Sequence, residues 1–304
     1  MVTPLRGTLM LICGTAAMGA SALLVSVIDA DLIAIAALRC LLAVPMMLPM
    51  VLWELSRVDR SSALPRRTVI GALIAGLALG TDYVFWNFSI AEVGPGIATV
   101  LLNVQLIVLP LIAWAMEGTR PMPVLGLIIP VMFLGLVLVA GALDLGELRI
   151  GGVIFGLIAG TGYACYLAVI RRTAPATTKP APFTVLALVG LSAGTAALIA
   201  GLVSGGMGLP ATPADWGWLL LLAFLGQVVV YWFINTGMLG VQETVASVLL
   251  LLPGVFSLAL AAVLLGDVPT PGQLIGCAII ILGAWWASAA AQRHQRRRAA
   301  RQVT

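Results

Sequence analysis

The segment TDYVFWNFS, residues 81–89, places an acid, a tyrosine, a tryptophan and an asparagine inside an oily run, and a close echo, VYWFINTG, follows at residues 230–237. The two are in register at a shift of 148 residues: Tyr83 falls on Tyr231, Phe85 on Phe233 and Asn87 on Asn235. Without gaps, the same shift sets Gly14 on Gly162, Ala98 on Ala246, Gly118 on Gly266, Pro121 on Pro269, Pro123 on Pro271 and Gly135 on Gly283. Leucine and valine matches carry little weight in such a composition, but Gly, Pro, Tyr and Asn matches do. The chain therefore reads as one unit used twice.

The surroundings of the repeat define the solvent. Of 304 residues, 61% are hydrophobic and 9% charged, with a mean hydropathy of +1.12. A soluble domain has roughly 45–50% apolar and about 25% charged residues. Apolar runs between charge clusters and turn residues give ten expected helices: 7–28, 32–53, 68–89, 95–115, 122–142, 151–170, 181–204, 215–237, 243–265 and 271–291. Each approaches the ~20 residues needed to cross a bilayer, and helices alone satisfy their own backbone there. The fold expected is all-α and membrane-spanning, with ten transmembrane helices as two five-helix repeats. Five is odd, so the repeats are inverted. The expected units are residues 1–145, residues 146–292 and a basic tail, 293–304.

Charge fixes the orientation. With the N-terminus in the cytoplasm, 14 of 16 Lys and Arg residues lie inside, only Arg149 lies outside and Arg39 falls within a span. This bias places both termini in the cytoplasm. The tail, rich in arginine, suits anionic lipid headgroups rather than nucleic acid.

The polar residues within spans are the candidate site. Tyr83, Tyr163, Tyr166 and Tyr231 are the four tyrosines of the chain. They read either as cavity lining or as an interfacial belt. Gln227, Tyr231 and Asn235 recur every fourth residue, and Tyr83 and Asn87 form the matching stripe with Trp86 beside them. Thr99 and Asn103 follow on the fourth helix, with Ser247 equivalent to Thr99. Polar side chains are costly in lipid, so the stripes point inward. They line a cavity or bond helix to helix. Asn103 and Gln105 lie about 200° apart on a helix, so both cannot face one cavity; Asn103 is the candidate. Asp82 and Arg39 are the ionisable residues well inside spans, each about 10 Å from the outer helix ends. Equal depth allows a structural ion pair; the other reading gives Asp82 a substrate ammonium or a proton. Gly14, Gly162, Pro110, Pro130 and Pro253 suit close packing or hinges.

Other function classes find little support. There is no phosphate-binding loop for a primary pump. The one histidine, His294, lies in the tail, and no paired acids suggest an embedded enzyme. No filter or charge ring marks a channel. The four cysteines lack metal or redox spacing, so no cofactor or metal is expected.

Residues 94–135, GPGIATVLLNVQLIVLPLIAWAMEGTRPMPVLGLIIPVMFLG, and 241–283, VQETVASVLLLLPGVFSLALAAVLLGDVPTPGQLIGCAIIILG, resemble the end of an EamA repeat. LRCLLAVPMM, residues 38–47, is similar to the family's second-helix signature, with Cys40 where an aromatic is usual. The resemblance covers nearly the whole chain. It implies the drug/metabolite transporter superfamily: ten helices in two inverted repeats in the inner membrane, exporting small metabolites. The helix pattern and aromatics are similar to the YddG-type aromatic amino acid exporters. The implied partners are a small-molecule substrate and the bilayer, with a monomer as the simplest assembly. Export of drugs or organic cations is the alternative within the family; an embedded enzyme or a scaffold is the alternative outside it.

Overall fold

The computed structural model describes residues 4–57, 64–118, 123–139, 149–173, 182–205, 207–238, 241 and 249–303. Among these, all regular structure is helical: α1 Pro4–Val27, α2 Leu32–Arg57, α3 Arg66–Leu101, α4 Gln105–Glu117, α5 Leu125–Val139, α6 Ile150–Thr173, α7 Pro182–Val203, α8 Pro213–Ala223, α9 Val230–Met238, α10 Leu252–Leu260 and α11 Pro271–Val303. A 3₁₀ turn, Leu102–Val104, joins α3 to α4, and a π-turn, Phe224–Val229, joins α8 to α9. Six described stretches are long and apolar enough to cross a membrane, including Arg66–Met116; Gly126–Gly135, Leu252–Leu265 and Pro271–Trp286 are shorter apolar helices. Leu52, Trp53, Ile74, Leu77, Phe133, Leu202 and Trp285 are exposed on the outside of the bundle. Such an apolar exterior faces lipid rather than water.

Two expected boundaries move. Spans expected at 68–89 and 95–115 run together as the 51-residue stretch Arg66–Met116. A straight helix of that length would be about 77 Å long, far beyond a ~30 Å hydrocarbon core. The chain turns back at Gly94, whose φ of 81° and ψ of 160° leave the helical region. Only glycine takes that φ readily, and Pro95 removes the next backbone donor. The reversal shows in the packing: a side-chain carbon at Gly156 would lie 2.6 Å from Leu101 Cδ1 and 3.1 Å from Ser89 Oγ. Both arms of α3 therefore lie against α6. The second shift is at the C-terminus, where the basic tail expected at 293–304 continues α11 as far as Val303.

The two halves meet reciprocally. The first helix of each half packs on the third and fourth of the other: α6 on α3 and α4, α1 on α9 and α10. α2 packs on α7, and α5 on α11. The correspondence reaches single residues. A carbon on Gly135 would meet Ile280, and one on Gly283 would meet Met132; both residue pairs are 148 apart. Contacts in which i meets j′ and j meets i′ are what a two-fold relation produces. Gly118 and Gly266, also 148 apart, take φ of 66° and 67° as left-handed caps.

Glu54, 6% exposed, ties α2 to α7. Its carboxylate accepts from the backbone N–H of Phe183 at 3.0 Å and of Thr184 at 2.9 Å, and from Thr184 Oγ1 at 2.9 Å. These donors open α7, where an anion also meets the positive end of the helix dipole. Glu54→Ala is expected to lower stability by about 1–3 kcal/mol, the cost of stranding buried donors. Thermal unfolding in detergent tests this; an unchanged midpoint would show the cap to be idle.

Candidate functional site

A cavity of about 630 Å³ opens between the halves. Small-molecule sites span roughly 300–1,000 Å³, so it suits one modest solute. Arg39 enters from α2, Asp82, Tyr83 and Trp86 from α3, Tyr163 and Tyr166 from α6, and Tyr231 from α9. Leu102, Gln105, Leu106 and Leu109 line the side facing the α3–α4 junction, and Val185, Leu186 and Val189 the side facing α7.

The aromatics form one wall. The Tyr163 and Tyr166 rings lie 5.6 Å apart, tilted by 33°. The Tyr231 hydroxyl interacts with those of Tyr83 and Tyr166. Gln227 lies behind the wall and donates from Nε2 to Tyr83 Oη at 2.8 Å. It sits in the π-turn, a feature common at functional sites.

Arg39 and Asp82 define the polar corner. The Arg39 guanidinium carbon lies 4.3 Å from the Tyr83 ring centroid and 5.4 Å from that of Trp86. Both rings hold the cation by their faces. Gly226 leaves room for it, since a side-chain carbon there would lie 2.9 Å from Nη2. Arg39 Nε and Nη1, Asp82 Oδ1 and Trp86 Nε1 are buried without hydrogen-bond partners. Arg39 and Asp82 interact electrostatically, but the ion pair expected from their equal depth is not closed. Ring stacking turns the guanidinium aside.

Access is one-sided. The lining runs from Asp82 to Thr68, Arg171 and Thr173, about 21 Å along α3, toward the end carrying Arg66 and Arg67. The opposite end is stitched shut. Asn87 Nδ2 donates to Leu32 O at 2.9 Å, Ser89 Oγ to Gly152 O at 2.8 Å, Asp29 N to Asp215 Oδ1 at 3.2 Å and Asp31 N to Gly208 O at 3.0 Å.

Several expected lining residues stand elsewhere. Asn87 is in that seal. Thr99 Oγ1 donates to Pro95 O at 2.7 Å and approaches Ser257 Oγ at 3.4 Å, at the crossing of α3 and α10. Asn103 Nδ2 turns back to Val100 O at 2.9 Å. Gln105 takes its place on the cavity, with Oε1 unpartnered. The 3₁₀ turn at Leu102–Val104 shifts the helical phase there, which a fixed 3.6-residue period does not anticipate. Asn235 lies on α9 with its side chain outside the described part, and Ser247 lies outside the described residues. Sequence reasoning missed Gly226 and Gln105, and also the polar lining residues Ser21, Thr68, Arg171 and Thr173. Among the described residues, no three His, Cys, Asp or Glu gather to hold a metal.

A lipid-facing helical bundle with a sealed end and a one-sided aromatic cavity defines a membrane transport protein. The EamA-like transporter family model matches residues 5–141 and 150–289, and the chain belongs to that family. It is a multi-pass membrane transporter of the drug/metabolite superfamily. A search of curated proteins finds no match. One solved crystal structure is similar in fold, at 16% identity and a TM-score of 0.62, over 96% of this chain and 100% of that one.

Proposed function

We propose that the protein exports small amphipathic metabolites, aromatic or other neutral amino acids foremost, by alternating access. The observation that carries this is the cavity itself: an aromatic wall beside guanidinium nitrogens and a carboxylate oxygen that lack hydrogen-bond partners. The wall suits an apolar side chain, and the polar corner a compact head. Burying a ring of about 150–250 Å² contributes roughly 4–6 kcal/mol before the costs of binding.

In this reading the chain spans the inner membrane ten times, as inverted repeats at 1–145 and 146–292, with both termini and the 293–304 tail in the cytoplasm. The arginine-bearing end of the cavity then faces the cytoplasm, the side from which an exporter loads. The reciprocal packing of the halves supports rocking between two conformations. The protein works as a monomer and without a cofactor. Asp82 beside tyrosine faces also suits an organic cation, which is the second reading.

Purified protein in proteoliposomes is expected to move radiolabelled phenylalanine or tryptophan and to return it chemically unchanged. A modified product would point to an enzyme, and the absence of flux for every amphipathic solute tried would sink the exporter reading.

A further inference from the structure

The polar corner of the cavity is sorted by chemistry. Arg39 is 2% exposed and Asp82 3%. On one side stand donors only: Arg39 Nε, with one N–H, and Nη1, with two, beside Trp86 Nε1, which donates and cannot accept. On the other stands Asp82 Oδ1, which as a carboxylate oxygen accepts and cannot donate. Buried polar groups without partners are costly, and a buried lone charge more so. The two side chains are close enough to interact yet are not joined, because Tyr83 and Trp86 hold the guanidinium by its face.

We propose that Arg39 and Asp82 form a two-point site for the head group of a zwitterionic α-amino acid, Arg39 with Trp86 Nε1 taking the carboxylate and Asp82 the ammonium. This rests on the exporter reading above and names the head group which that cavity selects. A lone cation would satisfy Asp82 and leave the Arg39 and Trp86 donors bare. A lone anion would do the reverse. An amino acid satisfies both and brings no net charge into the low-dielectric chamber. Its side chain then lies against Tyr163, Tyr166 and Tyr231. Selection is expected to be steep, because a site built around buried polar groups rejects a ligand that leaves one of them unpaired.

The test uses the full-length protein in proteoliposomes and three probes with one ring: phenylalanine, phenethylamine without the carboxylate, and 3-phenylpropionate without the ammonium. The same triplet built on leucine covers an aliphatic side chain. The complete amino acid is expected to bind about tenfold tighter, or more, than either partial analogue, as the loss of one charged hydrogen bond implies. Arg39→Gln should narrow the gap to the amine, and Asp82→Asn the gap to the acid. If either analogue binds the native protein within about threefold of the amino acid, the two-point site is overturned while solute flux still upholds the exporter. If the native preference holds but neither variant shifts it, the assignment to these two residues is overturned. Flux of no ring-bearing or aliphatic solute at all would overturn both readings. The native panel decides the question even where a variant fails to fold.

Discussion

Gly96→Leu is expected to abolish solute flux and sharply reduce the folded yield, whereas Gly217→Leu leaves both near the parental level. Gly96 lies just past the reversal at Gly94, where the second arm of α3 crosses α10. A side-chain carbon there would sit 2.8 Å from Leu258 Cα and 2.8 Å from Leu258 Cδ2. The facing glycine, Gly254, would meet Val100 Cγ2 at 2.9 Å. A backbone carbon has no rotamer by which to move aside, so the two helices must part. Helices in lipid have little hydrophobic drive to associate and rely on close packing and hydrogen bonds. Overpacking a tight contact costs about 1–3 kcal/mol. Separation also stretches the bond from Ser257 Oγ to Pro95 O, now 3.0 Å, and each such bond contributes roughly 0.6 kcal/mol. This crossing joins the two halves, so the damage reaches the moving interface itself. Gly217 is on an exposed face of α8, with nothing within 4 Å of an added carbon. Size-exclusion profiles and flux read both variants; a Gly96→Leu protein that folds and transports like the parent would show that the crossing is not tight.

The repeat was legible in the sequence because certain residues have duties that hydropathy does not share. Gly118 and Gly266 match because both caps need positive φ. Gly135 and Gly283 match because each lets the opposite half approach. The tyrosines were legible as a group, since four hydroxyl-bearing rings in three apolar spans call for an interior. What periodicity could not tell was what the interior offers at each depth. Asn87, Thr99 and Asn103 point inward, as polar residues in lipid should, but meet a carbonyl or a facing helix rather than the cavity. Hydrogen bonding to a backbone and lining a cavity impose the same pattern on a sequence. Gln105 and Gly226 were hidden for another reason: each lies at or beside a change of helical pitch, the 3₁₀ turn or the π-turn, where counting by 3.6 assigns the wrong face. The depth of Arg39 and Asp82 was readable, but the direction of the guanidinium was not, because two aromatic faces on the neighbouring helix decide it.

Asp82→Asn is expected to retain downhill flux, at reduced affinity, and to lose all transport against a gradient. Asp82 is the one carboxylate among the described residues lining the cavity. The groups facing it are Arg39 and Cys40 from α2, Tyr83 beside it on α3 and Tyr163 from α6. Asp82 is the one carboxylate of this group, so the proton is assigned to it. When substrate leaves, the carboxylate loses the ammonium that balanced it. The guanidinium remains on its rings, so a proton is the available partner. Moving a bare carboxylate through a low-dielectric, occluded state costs several kcal/mol, so on the proposed exporter reading the empty protein is expected to return protonated, with one proton brought inward for each solute exported. Under one-for-one exchange, a difference of about two pH units supports up to about 100-fold accumulation, at about 1.36 kcal/mol per unit. Asparagine is neutral at every pH, so the empty variant returns without a proton and the gradient no longer does work. Downhill flux in the same vesicles shows that the variant is folded and inserted. Accumulation by Asp82→Asn above the equilibrium level would remove Asp82 from the coupling step and place the proton elsewhere.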